Sequence, residues 1–201
     1  MPLPFFVKIL LSMRKCSSIT IDSGFCILCA VCLLLFPAKL VFAWFFAAFI
    51  HELWHYVALK TFKIKILRIS VHANGVIMQT APVTYAQEIL SALAGPIGGM
   101  SLVLFAPQMP IVALCAFLQS IHNLLPLYPL DGGRIALRLL QLIFGDEKGE
   151  HIYGFVKYLT LVFVLIFSIL ACVRGYGIMP ILISILLIIK STCKYSREIV
   201  K

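Results

Sequence analysis

The stretch from Phe25 to His55 joins a long apolar run to a short ionisable motif. Residues 25–50 are almost uninterrupted apolar side chains, and they lead directly into His51-Glu52-Leu53-Trp54-His55. Ionisable side chains are costly inside a membrane, so at the end of such a run they need a functional reason. This stretch predicts a membrane helix that carries a chemical site.

The spacing of the two histidines suits a single metal ion. On an α-helix, positions i and i+4 lie about 40° apart around the axis and about 6 Å apart along it. Zinc binds neutral imidazole nitrogens, and a catalytic zinc site commonly has three protein ligands. Glu52 lies beside such an ion, where it can take a proton from a water molecule. The alternative is a helix end with two hydrogen-bonded histidines and a snorkelling glutamate.

A second motif, Asn123–Gly133, supplies a candidate third ligand. Its sequence is N-L-L-P-L-Y-P-L-D-G-G. The two prolines cannot continue a regular helix, and the two glycines allow an unusual backbone just after Asp131. Broken backbone at membrane depth is tolerated only where it is buried in protein or lines water. We therefore predict that Asp131 binds one zinc ion together with His51 and His55.

The roles of Asn123, the first residue of this motif, and of His122 just before it are left open by the sequence. The amide of Asn123 can orient a substrate, stabilise a developing oxyanion or form an interhelical hydrogen bond. His122 is an alternative metal ligand, although adjacent residues on a helix point about 100° apart.

The composition predicts a polytopic membrane protein and excludes an ordinary soluble domain. Hydrophobic residues make up 62% of the chain, charged residues make up 12%, and the mean hydropathy is +1.04. Six candidate spans are found at 25–37, 40–59, 86–106, 109–125, 155–173 and 177–190. The first is short for a bilayer. A single element over 25–59 is the alternative, but it would leave Lys39 in lipid.

The formal net charge of +9 is explained by membrane topology rather than by nucleic-acid binding. Six spans place 15 of the 17 Lys and Arg residues on one side and leave only Lys39 and Arg174 on the other. By the positive-inside rule, both termini are then cytosolic. The same topology predicts a shallow zinc site that faces the cytosol.

The chain divides into three predicted regions. Residues 1–24 form a cytosolic interfacial segment with an amphipathic helix over Phe5–Met13, residues 25–190 form a six-span core, and residues 191–201 form a short basic cytosolic tail. No signal peptide is expected, because the first basic residues follow the first apolar ones.

A small membrane-associated β element is also predicted. It consists of a short strand at 19–21 and a hairpin at 62–80, in which Phe62–Val71 and Val76–Thr80 flank an Asn-Gly turn. One reading is a structural sheet at the membrane face. The other is that its free edge pairs with an extended substrate.

Three further patterns are read as structural. Gly95-Pro96-Ile97-Gly98-Gly99 allows close helix contact that would hold the motif-bearing spans together. Residues 145–150 are expected to form a polar cytosolic loop, followed by a solvent-facing His151. Cysteines at 26, 29 and 32 are expected to pack rather than to bind metal.

The two motifs resemble those of the site-2 proteases, which are intramembrane zinc metalloproteases. H-E-x-x-H and N-x-x-P-x-x-P-L-D-G-G occur here in the family's order, and the likeness runs from about Ile19 to the last apolar segment. Within the family the chain is most similar to the stage IV sporulation protein FB branch, without the nucleotide-sensing CBS domain that this branch often carries.

The resemblance implies a role for each site residue. His51, His55 and Asp131 would hold one Zn²⁺, Glu52 would act as general base and then proton donor, and Asn123 would contact substrate or transition state. The implied substrate is a membrane-associated regulatory protein such as a sigma-factor precursor.

The resemblance also implies a setting, and two alternative functions remain open. The chain would lie in a bacterial cell membrane, including one around a forespore, with membrane proteins that inhibit or activate it. The alternatives are a catalytically inactive membrane scaffold and a zinc or proton transporter.

Overall fold

A computed structural model describes residues 19–73, 75–175 and 177–199. In chain order its elements are β1 Ile19–Ile21, α1 Ser23–Leu35, α2 Ala38–Thr61, β2 Ile66–His72, β3 Gly75–Thr80, α3 Tyr85–Ser101, α4 Pro110–Asn123, α5 Asp131–Phe144, α6 Asp146–Val173 and α7 Met179–Ile199. A 3-10 turn, Leu102–Phe105, extends α3. The prediction of a mainly helical chain with a small sheet is confirmed. The predicted helix at Phe5–Met13 and the turn residue Asn74 lie outside the described residues.

Three of the described helices are long and apolar enough to cross a membrane: α2, α3 with its 3-10 extension, and α6. Helices α1 and α4 and the apolar part of α7, Pro180–Ile189, are shorter. Helix α1 ends at Leu35 because Phe36 precedes Pro37, and a residue before proline favours the extended backbone that Phe36 adopts. The structure thus supports three spanning helices, and the six-span arrangement stays a prediction.

The predicted break in the second motif is confirmed. Helix α4 ends at Asn123, residues 124–130 have no regular helix, and α5 begins at Asp131. The peptide bond between Tyr128 and Pro129 is cis. The backbone N–H of Tyr128 donates to the hydroxyl of buried Tyr153 on α6 at 2.7 Å, so α6 satisfies a backbone group that the break exposes.

The two glycines after Asp131 are required by close packing against this break. A Cβ on Gly132 would lie 2.1 Å from the carbonyl oxygen of Leu124, and one on Gly133 would lie 2.3 Å from the nitrogen of Tyr128. Any side chain at either position would therefore push the first turn of α5, and Asp131 with it, away from the bundle.

The sheet covers one end of the bundle, which we call the sheet end. Its strand order is β1-β2-β3, with β1 parallel and β3 antiparallel to β2. Helix α2 continues to Thr61, and Lys63 turns the chain with φ 56°, so β2 begins at Ile66 rather than at the predicted Phe62. A core of five residues fixes the sheet on α2: Tyr56, Leu59, Ile64, Ile66 and Ile69.

The predicted loop at 145–150 is wrong. Only Gly145, with φ 81°, separates α5 from α6, and α6 already begins at Asp146. Gly149 lies against the backbone of Gln141, where a Cβ would be 2.6 Å away, so the two helices pack closely next to their connection. A left-handed glycine suffices for this sharp connection.

Helix α5 was not predicted, and an ion-pair cluster holds it against α3. Glu88 near the start of α3 accepts from Arg138 Nε at 2.8 Å and from Arg134 Nε at 3.4 Å. Tyr85 also donates to Asp146 at 2.7 Å, which ties the start of α6 to the same place. These contacts set the direction in which α5 leaves Asp131.

Candidate metal centre

The structure brings three predicted ligands together from two distant helices. His51 Nε2 lies 3.0 Å from Asp131 Oδ2, His55 Nε2 lies 3.2 Å from the same oxygen, and the two imidazole nitrogens are 3.1 Å apart. The histidines lie in the second half of α2, and Asp131 is the first residue of α5. The three donor atoms therefore form a closed triangle that can hold a metal ion.

The size of this triangle fits zinc. Ligand atoms about 2.0–2.2 Å from a tetrahedral zinc ion lie about 3.3–3.6 Å from each other. The three observed separations are 3.0, 3.1 and 3.2 Å, so the atoms need to move by only a few tenths of an ångström each. Two imidazoles and one carboxylate are also a donor set that zinc accepts, and three ligands leave one position for a reactant.

The tautomer of His55 is fixed by α3. His55 Nδ1 lies 2.7 Å from the carbonyl oxygen of Ser91, and a carbonyl can only accept, so Nδ1 carries the proton and donates. In the neutral ring the lone pair then lies on Nε2, which faces the triangle. A hydrogen bond from the far nitrogen of a ligand histidine is the usual support of a metal site.

The predicted packing role of the glycine-rich stretch is confirmed by its position beside the triangle. A Cβ on Gly95 would lie 2.1 Å from His55 Nε2 and 2.8 Å from His51 Nε2, and a Cβ on Gly98 would lie 2.0 Å from Trp54. Helix α3 approaches α2 this closely only because these positions have no side chain.

Burial differs around the triangle. His51 and Asp131 are 4% and 9% exposed, and His55 is half-buried. Glu52 is half-buried next to them, and the charged or ionisable groups whose fields act on it are the three triangle residues and Arg134. The glutamate therefore belongs to the site electrostatically, and it makes no ligand contact in the triangle.

Asn123 reaches the site, and His122 is not part of the triangle. Asn123 Nδ2 lies 3.3 Å from His51 Nε2, so the amide points at the metal-ligating side of that ring. His122 is exposed, and within the described residues the triangle is the only cluster of three His, Cys, Asp or Glu with metal-site spacing.

Sequence reasoning missed two contributors to the site. The carbonyl of Ser91 has no sequence signal, because every residue has one. Arg134 had a signal, since it lies three residues after Asp131 and shares a helix face with it, but the helix itself was not predicted.

Comparisons with known proteins support the resemblance in part. Residues 76–167 match the model of peptidase family M50, a region that includes the second motif and begins after the His51-to-His55 motif. The fold is similar to that of the Site-2 Protease from Methanocaldococcus jannaschii, with a TM-score of 0.62 and 22% identity over 87% of this chain and 88% of that chain. No curated protein sequence matches the chain.

Proposed function

We propose that this chain, which carries a peptidase family M50 region on the fold of a site-2 protease, is a zinc-dependent intramembrane endopeptidase. The observation that carries the proposal is the closed triangle of His51, His55 and Asp131 next to Glu52. This is the ligand number of a catalytic rather than a structural zinc site. The glutamate follows the first ligand directly, as a general base in such a site does.

Each residue of the site has a separate role in the proposed hydrolysis. His51, His55 and Asp131 would hold zinc, which supplies Lewis-acid polarisation of the peptide carbonyl and lowers the pKa of a bound water. Glu52 accepts a proton from the attacking water and delivers it to the nitrogen of the leaving amine. The amide of Asn123 donates to the oxygen on which negative charge develops.

The setting of the site favours a membrane-associated protein as substrate. His51 lies ten residues before the end of α2 at Thr61, roughly 15 Å along the helix axis from the sheet end. A peptide bond at that depth belongs to a chain in or next to the bilayer. We propose that both termini are cytosolic, as the distribution of Lys and Arg indicates.

We extend the proposal to the regulatory role that the sequence resemblance implies. The substrate would be a membrane-tethered regulatory protein such as a sigma-factor precursor, cleaved in a bacterial membrane such as one around a forespore. The chain would then work as the stage IV sporulation protein FB branch does, under the control of other membrane proteins. Co-purification of an uncleaved precursor with the Glu52→Gln protein would identify the substrate.

The free edge of β3 is the proposed binding place for an extended substrate. Strand β3 is the last in the order β1-β2-β3, so one of its edges has no strand partner among the described residues. Proteolysis needs an exposed backbone, which pairing with a strand edge provides. The sheet adjoins α2, the helix that carries both histidines.

Proline substitutions in β3 test this edge. Neighbouring N–H groups in a strand point to opposite edges, so of Ile77→Pro and Met78→Pro one removes a donor from the free edge. We expect that variant to lower cleavage while zinc content and unfolding temperature stay unchanged. Ile77→Ala is the control that keeps the N–H. Full cleavage by both proline variants would exclude the edge as a substrate site.

Glu52→Gln tests the proposed function itself. The amide keeps the shape of the side chain but cannot accept a proton, so we expect zinc to remain bound and cleavage to fall by at least about 100-fold. Zinc is measured by elemental analysis of the purified chain. Cleavage is measured by mass spectrometry on a library of single-span reporter proteins reconstituted with it in lipid vesicles.

The rival functions give other results in the same vesicles. A scaffold would cleave no reporter in either form. A transporter would carry zinc or protons across the vesicle membrane and would leave the reporters intact. Either result would overturn the protease proposal.

A further inference from the structure

The far nitrogen of His51 is a buried polar atom that the site does not explain. Its Nε2 faces the triangle, and its Nδ1 is buried without a hydrogen-bond partner anywhere in the described part of the chain. A neutral imidazole that offers its Nε2 lone pair carries its proton on Nδ1. A buried N–H of this kind almost always has an acceptor, so this one needs explanation.

Ser120 on α4 supplies a second such atom. The residue is 0% exposed, and its Oγ has no hydrogen-bond partner among the described residues. A serine inside a helix commonly donates to the carbonyl four residues before it, which here is the carbonyl of Ala116. Ser120 does not form that bond, so its hydroxyl is available to another group.

Gly99 on α3 brings these atoms to one place. A Cβ built on Gly99 would lie 2.5 Å from Ser120 Oγ, 3.7 Å from His51 Nδ1 and 3.8 Å from the carbonyl oxygen of Ala116. Ser120 Oγ and His51 Nδ1 therefore lie near the same point, and their separation is at most the sum of their distances from that Cβ position. One N–H donor, one hydroxyl and one carbonyl acceptor therefore lie around the side of Gly99 that would carry a Cβ.

We propose that one buried water molecule binds over Gly99 and completes the support of His51. It accepts from His51 Nδ1, donates to the carbonyl of Ala116 and forms a hydrogen bond with Ser120 Oγ. Buried waters typically form about three hydrogen bonds to polar groups that otherwise lack partners, as here. Ser120 is then a positioning residue that acts on the metal through the orientation of His51.

This inference rests on the proposed function, because the orientation of His51 matters only if its Nε2 binds metal. Loss of an outer hydrogen-bond partner typically weakens metal binding by about 10- to 100-fold. Ser120→Ala removes one of the water's three partners, so we expect about tenfold weaker zinc binding. The methyl group of Gly99→Ala would lie 2.5 Å from Ser120 Oγ and would displace both the hydroxyl and the water, so we expect a loss nearer about 100-fold.

The test is a zinc titration of the purified full-length chain against a competing chelator, with thermal unfolding measured in parallel. Ser168→Ala is the matched control. It also removes a buried hydroxyl, one that contacts Ser184 Oγ at 2.5 Å between α6 and α7, away from the triangle. We expect Ser168→Ala to lower the unfolding temperature and to leave zinc affinity unchanged. A purely structural Ser120 would behave in the same way.

The outcomes separate this inference from the proposed function. If the unsubstituted chain binds zinc and Ser120→Ala binds it equally tightly, the buried water is wrong and the protease proposal stands. If the unsubstituted chain binds no zinc, both are wrong. A high-resolution experimental map with a water peak between His51 and Ser120, absent from the Ser120→Ala map, supports the inference independently of any activity.

Discussion

His55 and His51 lie one turn apart on α2 and end in the same triangle, but they are held in different ways. The ring of His55 donates directly to the carbonyl of Ser91 on α3 at 2.7 Å. The ring of His51 is more deeply buried, and its Nδ1 has no direct partner in the described chain. Spacing on one helix thus brings the two nitrogens together, whereas the neighbouring helices decide how each ring is oriented.

Gly95→Ala should displace both histidine rings, because Gly95 lies against both of them. The new Cβ would lie 2.1 Å from His55 Nε2 and 2.8 Å from His51 Nε2, and α3 cannot retreat without losing its contact with α2. We expect zinc binding to weaken by at least about 100-fold and cleavage to be lost. Elemental analysis and thermal unfolding of the same preparation measure the two effects.

The control for this variant is Gly154→Ala on α6. A Cβ at Gly154 meets no atom within 4 Å, and alanine favours a helix by about 1 kcal/mol over glycine. It should keep its zinc and unfold at the same or a slightly higher temperature. A Gly95→Ala protein that retains a full equivalent of zinc would show that the triangle does not depend on the close approach of α3.

The triangle could be predicted from the sequence because its residues belong to two short patterns with strong local geometry. His51 and His55 share a helix face, and the prolines before Asp131 force a break next to an acid. The sheet could be predicted from the apolar, β-branched runs that flank an Asn-Gly turn. Each of these signals is local, so tertiary contacts did not override it.

Helix α5 was not predicted, because its two arginines were used only to assign the cytosolic side of the membrane. Arg134 and Arg138 are four residues apart among apolar side chains, which is also the pattern of an amphipathic helix. The deciding contact is Glu88, which lies 46 and 50 residues away and accepts from both. The carbonyl of Ser91, which accepts from His55, could not be predicted either, because every residue has a backbone carbonyl.

Asn123→Ala tests the surroundings of His51 alone, because the amide contacts His51 and not His55. Its Nδ2 lies 3.3 Å from His51 Nε2. If the amide serves the developing oxyanion, its removal should lower kcat by about 100-fold and change zinc affinity by less than about threefold. Steady-state cleavage and the chelator titration measure the two quantities on one preparation.

The control for Asn123→Ala is His122→Ala, which alters the exposed neighbouring residue and should change neither quantity. The ratio of the two losses then decides what the amide does. A fall in zinc affinity that matches the fall in kcat would mean that Asn123 acts through the ring of His51, as Ser120 is proposed to do from the opposite nitrogen. A fall in kcat alone means that the amide faces the reacting carbonyl, because a group that only orients a ligand must also affect the binding of the metal.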